Sequence, residues 1–451
     1  MSLRRLLLLF PLLFLAEVVF GEAGRWMEVG GLSVRQVLFV LAVLGLYGYA
    51  ALHRQRLEFG RMDAAVLLFL GVNVVWGFLV PGFYEQSLGL AFADFGAVFV
   101  LLLYFPLAAL VRAGVLSWRR LKVLFLGGAV LLALLQVTLW TLATWMPETM
   151  SGTRRFLLEM YGVPEIYVGP MPDGFFRVMP VTALFLLPAF FLIAHTLTTG
   201  RRPLSAAALL FLIGGGLVVS YTRTFWLAVV LGLALAVAAL LLGPRHEKGA
   251  ARLPALARKL GRELSPLVVF VAAFMFVGAV DAGQDLASNG DGGAGSGASA
   301  ERAASTLDAG DRSVAIKLQQ LPPLIGEWRT TPVFGQGFGA SAEEFARSEE
   351  TPFSYEVMAP ALLMKLGVVG SLLWLAPLLY FFVDGLRSAR APGTADRGRF
   401  AVAGLICFAL AVQSNPLFFN FVGMTLLLFY LLELSALRDR RTSPKPLTEP
   451  Q

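Results

Sequence analysis

The sequence predicts an all-α, polytopic membrane protein with about 12 transmembrane helices and a long extracytoplasmic loop, on three observations. Hydrophobic residues make up 57% of the 451 residues and charged residues only 15%, with a mean hydropathy of +0.71; soluble globular chains carry roughly a quarter charged residues. A chain this apolar cannot hide its surface in one core and still cover itself with polar groups. That excludes an ordinary soluble enzyme, a disordered protein and a collagen-like fibre. The apolar residues also come in runs near the ~20 residues a bilayer requires. Finally, lysine and arginine concentrate in every second loop.

Taken in order, the runs are 6–20, 35–52, 63–80, 91–111, 122–146, 177–197, 203–219, 222–242, 264–280, 358–383, 399–413 and 417–437. The first follows Arg4 and Arg5 as a signal-peptide core would, but Glu17 and Phe20 make a poor small-residue cleavage site, so it reads as a span. Most of the 37 basic residues fall in one set of loops: Arg4/Arg5, Arg54/Arg56/Arg61, Arg112/Arg119/Arg120/Lys122, Arg201/Arg202, the segments 243–263 and 385–399, and the tail after Leu437. Positive charge stays on the cytoplasmic side, which puts both termini there. The chain then divides into spans one to nine (1–280), an extracytoplasmic loop (281–357), and spans ten to twelve with a cytoplasmic tail (358–451). The loop opens on a low-complexity stretch, Asp281 to Ala300, that reads as a flexible linker. After it, DRSVAIKLQQLPPLIGEW reads as a short amphipathic helix that the proline pair stops.

Cys407 is the single cysteine and the three histidines are scattered, so neither a disulfide nor a cysteine-rich metal site is expected. The net charge of +7 does not mark a nucleic-acid binder, because the basic residues lie between hydrophobic segments and not on one polar face.

The chemistry-bearing residues gather on the side that the charge bias should deplete of arginine. Arg177 starts the sixth span, Arg223 starts the eighth within SYTRTFW, and Arg312 lies in the long loop. Arginine presents a planar, permanent charge that matches phosphate oxygens in pairs, and helix N-termini add their own donors. The other reading for each is an interfacial arginine snorkelling to lipid phosphate. Gly335, Gly337 and Gly339 alternate in PVFGQGFG, a turn that lets backbone approach a ligand or another loop closely. Glu343 and Glu344 just beyond belong on a solvated face. Glu356 stands at the outer mouth of the tenth span, and Lys365 lies about 13 Å deeper along a helix. A lysine so placed faces a cavity or a partner. Asp94 and Glu17, also inside apolar runs, can line a cavity or pair with intramembrane basic groups.

Four stretches resemble the O-antigen ligase and polymerase superfamily of bacterial membrane glycosyltransferases: GFFRVMPVTALFLLPAF; SYTRTFWLAVVLGL, with Ser220 and Arg223; DRSVAIKLQQLPPLIGEWRTTPVFGQGFG; and SYEVMAPALLMKLGVVG, with Gly367 and Gly370. They span about half the chain and keep the family's order. Two departures stand out. Where ligases of the family typically carry a histidine, this chain has Glu356, and where a carboxylate often precedes the first glycine, it has Lys365. The missing histidine points toward a polymerase or a divergent exopolysaccharide member.

The resemblance implies a bacterial inner-membrane enzyme that takes a glycan from undecaprenyl diphosphate on the outer face and passes it to the hydroxyl of an acceptor glycan. Its partners would be membrane lipid and a chain-length regulator, with no nucleic acid. The expected mechanism needs neither cofactor nor metal. Arg223, Arg312 and Arg177 stabilise the departing diphosphate, Glu356 takes the acceptor proton, and Ser220, Gly337 and Lys365 contact substrate. The competing expectation is a lipid-linked oligosaccharide flippase, for which twelve spans and intramembrane charges are equally suited.

Overall fold

The computed structural model describes residues 32–52, 59–146, 176–200, 202–242, 252–288, 312–342, 351–413 and 416–442, with scattered positions among 9–18, 28–29, 152–155, 168–170 and at 345. Among the described residues the ordered elements are helices apart from two short antiparallel pairs, β1 (Glu28–Val29) with β2 (Leu32–Ser33) and β3 (Val168–Pro170) with β4 (Phe176–Val178).

The helices follow the apolar runs. α1 is Val34–Leu52. α2 (Arg61–Val74) continues through a π-helical turn at Val75–Leu79 to Phe83. α3 (Leu88–Phe95), a 3₁₀ stretch (Gly96–Leu103) and α4 (Tyr104–Arg112) form the next rod. Then come α5 (Trp118–Trp145), α6 (Leu186–Thr198), α7 (Pro203–Val219), α8 (Arg223–Leu242), α9 (Arg252–Ser288), α10 (Arg312–Gln319), α11 (Leu321–Thr330), α12 (Met358–Arg390), α13 (Ala395–Gln413) and α14 (Phe421–Thr442). Local chemistry sets the starts. The Ser87 hydroxyl accepts the Leu90 N–H (3.4 Å), and Pro203 opens α7, where its missing N–H costs nothing.

Nine helices among the described residues are long and apolar enough to cross a membrane, where twelve spans were expected. The difference has three sources. α7 is a shorter apolar helix. α13 matches the expected eleventh span but opens on Asp396, Arg397 and Arg399, which lower its hydropathy. The run 6–20 lies largely outside the described residues. Two loop expectations also change. The expected linker begins as helix, because α9 carries the chain through Ser288; residues 289–311, like Glu343 and Glu344, lie outside the described residues. The proline pair opens a second helix instead of ending the region: Pro322 and Pro323 occupy the first turn of α11, where proline fits.

The chain folds into two compact units interleaved along the sequence. The first comprises Met1–Ala42, Ser117–Leu307 and Ala389–Phe408; the second comprises Val43–Leu116, Asp308–Ser388 and Ala409–Gln451. In the first, α7 packs against α5, α6 and α9. In the second, α14 is buried on nearly every face and packs on the 3₁₀ stretch and α4. Apolar side chains left exposed on helices, such as Leu131, Leu134 and Leu135 of α5 or Val268 and Met275 of α9, are the surface expected to meet lipid.

Candidate functional site

In the second unit, α12 is two helical segments joined at Gly367, whose φ of 61° and ψ of −171° are not helical. Such a break orphans two carbonyls below it and two N–H groups above it, which lipid cannot satisfy. The turn after α11 supplies all four partners. Gln336 and Gly337 donate their N–H groups to the carbonyls of Met364 (3.0 Å) and Lys365 (2.8 Å), while Val368 and Val369 donate theirs to Pro332 (2.9 Å) and Val333 (3.0 Å). The same turn is tied to α2 and its π-turn: Phe338 N–H donates to Trp76 O (2.9 Å), and Trp76 Nε1 donates to Phe334 O (2.7 Å). Phe338 is fully buried, with ring centroids 5.6 Å from Phe95 and 5.0 Å from Phe419.

Gly337 was expected to meet substrate and instead meets protein. At a φ of 88°, a Cβ there would lie 2.6 Å from Pro81 Cδ. The alternating glycines are spaced for backbone-to-backbone docking.

Below this turn lies a buried ion pair. Lys365 Nζ is 2.6 Å from Asp94 Oδ2, and both side chains are almost wholly buried. The ammonium also donates to Phe353 O (2.9 Å), and Asp94 accepts the Gly339 N–H (2.9 Å). Lys365 is therefore committed to a partner, which answers the question its depth raised. Glu17 finds the same solution in the first unit, 2.6 Å from Arg35 Nε.

Asp94 and Lys365 form one wall of a cavity of about 240 Å³, with Phe353, Tyr355, Phe419 and Asn420 among its other lining residues. Tyr355 was not anticipated. Its Oη accepts the Ala342 N–H (2.6 Å), and burial pushes its phenol above the ordinary range. Tyr355→Phe should cost about 1–3 kcal/mol at neutral pH, because the buried N–H loses its acceptor. The unfolded phenol ionises first, so this contribution holds below about pH 10 and declines above it. In thermal unfolding the wild type should lose more stability than Y355F between neutral and strongly alkaline pH; parallel profiles would refute the assignment.

Beside the cavity, Glu356 donates its backbone N–H to Gln320 Oε1 (2.9 Å), and its Oε2 lies 4.0 Å from Lys317 Nζ. Glu356 is thus held at the start of α12 by α10 and the residue after it. Arg312 opens α10, and its side chain lies outside the described residues.

In the first unit, Arg177 on β4 donates from Nε to Ser220 O (2.9 Å) and from Nη2 to Thr222 Oγ1 (3.2 Å) and Met179 Sδ (2.6 Å). Ser220 is fully buried; its hydroxyl donates to Leu217 O (2.7 Å) and accepts the Thr222 N–H (3.3 Å). It shapes the turn between α7 and α8, in which Tyr221 takes a left-handed φ of 46°, and it does not open to a ligand as expected. Arg223 follows as the first residue of α8, half-buried. Arg177 and Arg223 are therefore brought to one turn, Arg177 as the residue that holds it. Arg312 and Glu356 belong to the second unit.

Among the described residues, nine apolar helices long enough to cross a membrane, a broken helix closed by backbone bonds and a buried ion pair define a multi-pass helical membrane protein. No family model matches the sequence, and neither a curated protein nor a solved structure matches it.

Proposed function

We propose that the protein is a polysaccharide polymerase or ligase of the bacterial inner membrane, with twelve spans, cytoplasmic termini and an extracytoplasmic site. It transfers a glycan from a polyprenyl diphosphate to an acceptor sugar hydroxyl. The observation that carries this reading is the turn at 220–223: one arginine, Arg177, is spent on fixing the turn from which a second, Arg223, starts a helix. The first N–H groups of that helix, a guanidinium and a rigid turn form an arrangement suited to a diphosphate. The bias of basic residues toward the other loops supports an outer location.

In the reaction, the acceptor oxygen bonds to the anomeric carbon as the bond to the diphosphate oxygen breaks. The leaving diphosphate keeps the electron pair, and configuration inverts. Arg223 and Arg312 stabilise the charge that develops on the diphosphate, and Glu356 accepts the acceptor's proton. With so good a leaving group, holding the two sugars in line supplies much of the rate.

The test is conversion of lipid-linked oligosaccharide to longer glycan by the purified protein in detergent. Arg223→Ala should lower the rate by about 10²–10³-fold with an unchanged unfolding midpoint, and Arg312→Ala should behave alike. Glu356→Gln with full activity would remove proton transfer from that residue. Wild-type product from both arginine variants would refute the reading. The break in α12 and its buried ion pair favour a second reading, a lipid-linked oligosaccharide flippase, since discontinuous helices are a transporter device. A flippase would form no product in detergent.

A further inference from the structure

We infer that the cavity walled by Asp94 and Lys365 in the second unit binds one uncharged sugar ring. None of the arginines assigned to the diphosphate lines it. The ring's natural source, the glycan being transferred, rests on the transfer reading; the binding itself does not.

The polar groups of the wall are not used up within the protein. Both bonds to Asp94 end on Oδ2, from Lys365 Nζ (2.6 Å) and from the Gly339 N–H (2.9 Å). Its Oδ1 has no hydrogen bond among the described residues, although the side chain is only 7% exposed. Buried polar atoms are rarely left so. Lys365 spends two of its three donors, on Asp94 and on Phe353 O (2.9 Å). Tyr355 Oη accepts the Ala342 N–H, and its own proton has no acceptor among the described residues. Asn420 is fixed through Oδ1, which accepts the Gly423 N–H (2.7 Å), and its Nδ2 donors stay open. All four residues line the cavity.

This wall discriminates among ligand classes. Its charged residues, Asp94 and Lys365, cancel. A phosphate, even as hydrogenphosphate with a proton to give Asp94, would leave water for a wall with no cation to spare. A cation would face the ammonium of Lys365. A hydrocarbon would leave Asp94 Oδ1 unpaired. A sugar hydroxyl carries no charge and both donates and accepts, so neighbouring hydroxyls serve Asp94 Oδ1 and the donors together. The rings of Phe353, Phe418 and Phe419 complete much of the wall. The C–H face of a sugar ring suits the negative face of an aromatic ring; an acyclic polyol presents no such face. The volume of about 240 Å³ falls below the roughly 300–1,000 Å³ of pockets for drug-sized ligands and suits a single ring. Asp94 stands about 30 Å along its rod from Arg112 at 1.5–2.0 Å per residue, the thickness of the hydrocarbon layer. The positive-inside bias assigns Arg112 to the cytoplasmic surface, which puts the cavity at the outer one.

The experiment titrates the methyl glycosides of glucose, galactose, mannose and N-acetylglucosamine, together with glycerol and inorganic phosphate, separately into the full chain. The detergent is a polyoxyethylene, because a maltoside headgroup is itself a sugar, and binding is followed by saturation-transfer NMR. At least one glycoside should bind saturably, with transfer to its ring C–H protons, and glycerol and phosphate should not. Ala93→Leu enlarges an exposed residue of the wall; it should keep the ligand-free unfolding midpoint and weaken affinity about tenfold or more. D94N/K365M, which replaces the carboxylate and the ammonium together, should bind no glycoside measurably. Absence of saturable binding by every glycoside, or undiminished binding in either variant, would overturn the site. Glycerol or phosphate binding as well as the best glycoside would overturn the sugar assignment. Sugar binding by a protein that forms no product in detergent would overturn the transfer reading and leave this site standing.

Discussion

Lys365→Met and Asp94→Asn should each destabilise the protein by about 3–5 kcal/mol, and the double variant should be more stable than either. Each single change leaves a charge buried without its partner, which is the costly way to break a buried pair. Asparagine at 94 keeps an oxygen for the Gly339 N–H but leaves the ammonium of Lys365, 2.6 Å away, facing a neutral group. Methionine at 365 keeps the volume but strands the Asp94 carboxylate. With both replaced, no net charge remains in the apolar interior, so the coupling between the two changes should be favourable by about 2 kcal/mol or more. Denaturant titration in detergent, run on all four proteins, reads the cycle. Additive losses would show that the two groups do not sense each other. Single variants as stable as the wild type would show that the pair is open to water.

The pair also shows where the sequence stops being informative. Both charges were legible as anomalies, since an Asp or a Lys inside an apolar run demands a partner. The identity of the partner was not, because apolar periodicity is a local signal and Asp94 and Lys365 lie on different helices far apart in the chain. The spans were legible for the same local reason: hydrophobic length is written into consecutive residues. The docking of the glycine turn was half-legible. Alternating glycines announce a close backbone approach, and only the fold reveals that the approach is to Pro81, Ala91 and the break at Gly367. Ser220 and Arg177 were picked out for a ligand because their chemistry suits one. A hydroxyl next to a tight turn has a nearer use, satisfying Leu217 O and the Thr222 N–H, and spacing along the chain cannot distinguish the two uses. Tyr355 carried no signal, lying one residue from a carboxylate that drew the attention.

Gly367→Ala should be about as damaging as breaking the buried ion pair. With φ at 61° and ψ at −171°, position 367 occupies a region that side chains avoid, at a strain of order 1–3 kcal/mol. The added methyl would also meet the backbone of Val333 and Gly335 inside contact distance. Those atoms cannot retreat, because the four backbone hydrogen bonds from 332–337 hold them against the broken helix. Relief therefore requires undocking the turn, which strands the carbonyls of Met364 and Lys365 and the N–H groups of Val368 and Val369, and draws Phe338 out of its seat between Phe95 and Phe419. The summed cost should exceed about 3 kcal/mol. Gly326→Ala makes the control: the residue lies in α11 with nothing within 4 Å of the new methyl, and the change should stabilise by up to about 1 kcal/mol. Hydrogen exchange separates local from global damage. In the wild type the amides of Gln336, Gly337, Val368 and Val369 should exchange slowly and together. In G367A they should exchange fast while those of α14 stay protected. If G367A keeps slow exchange at all four amides, α12 does not need a glycine there, and the turn is held by something other than the hydrogen bonds the break sets free.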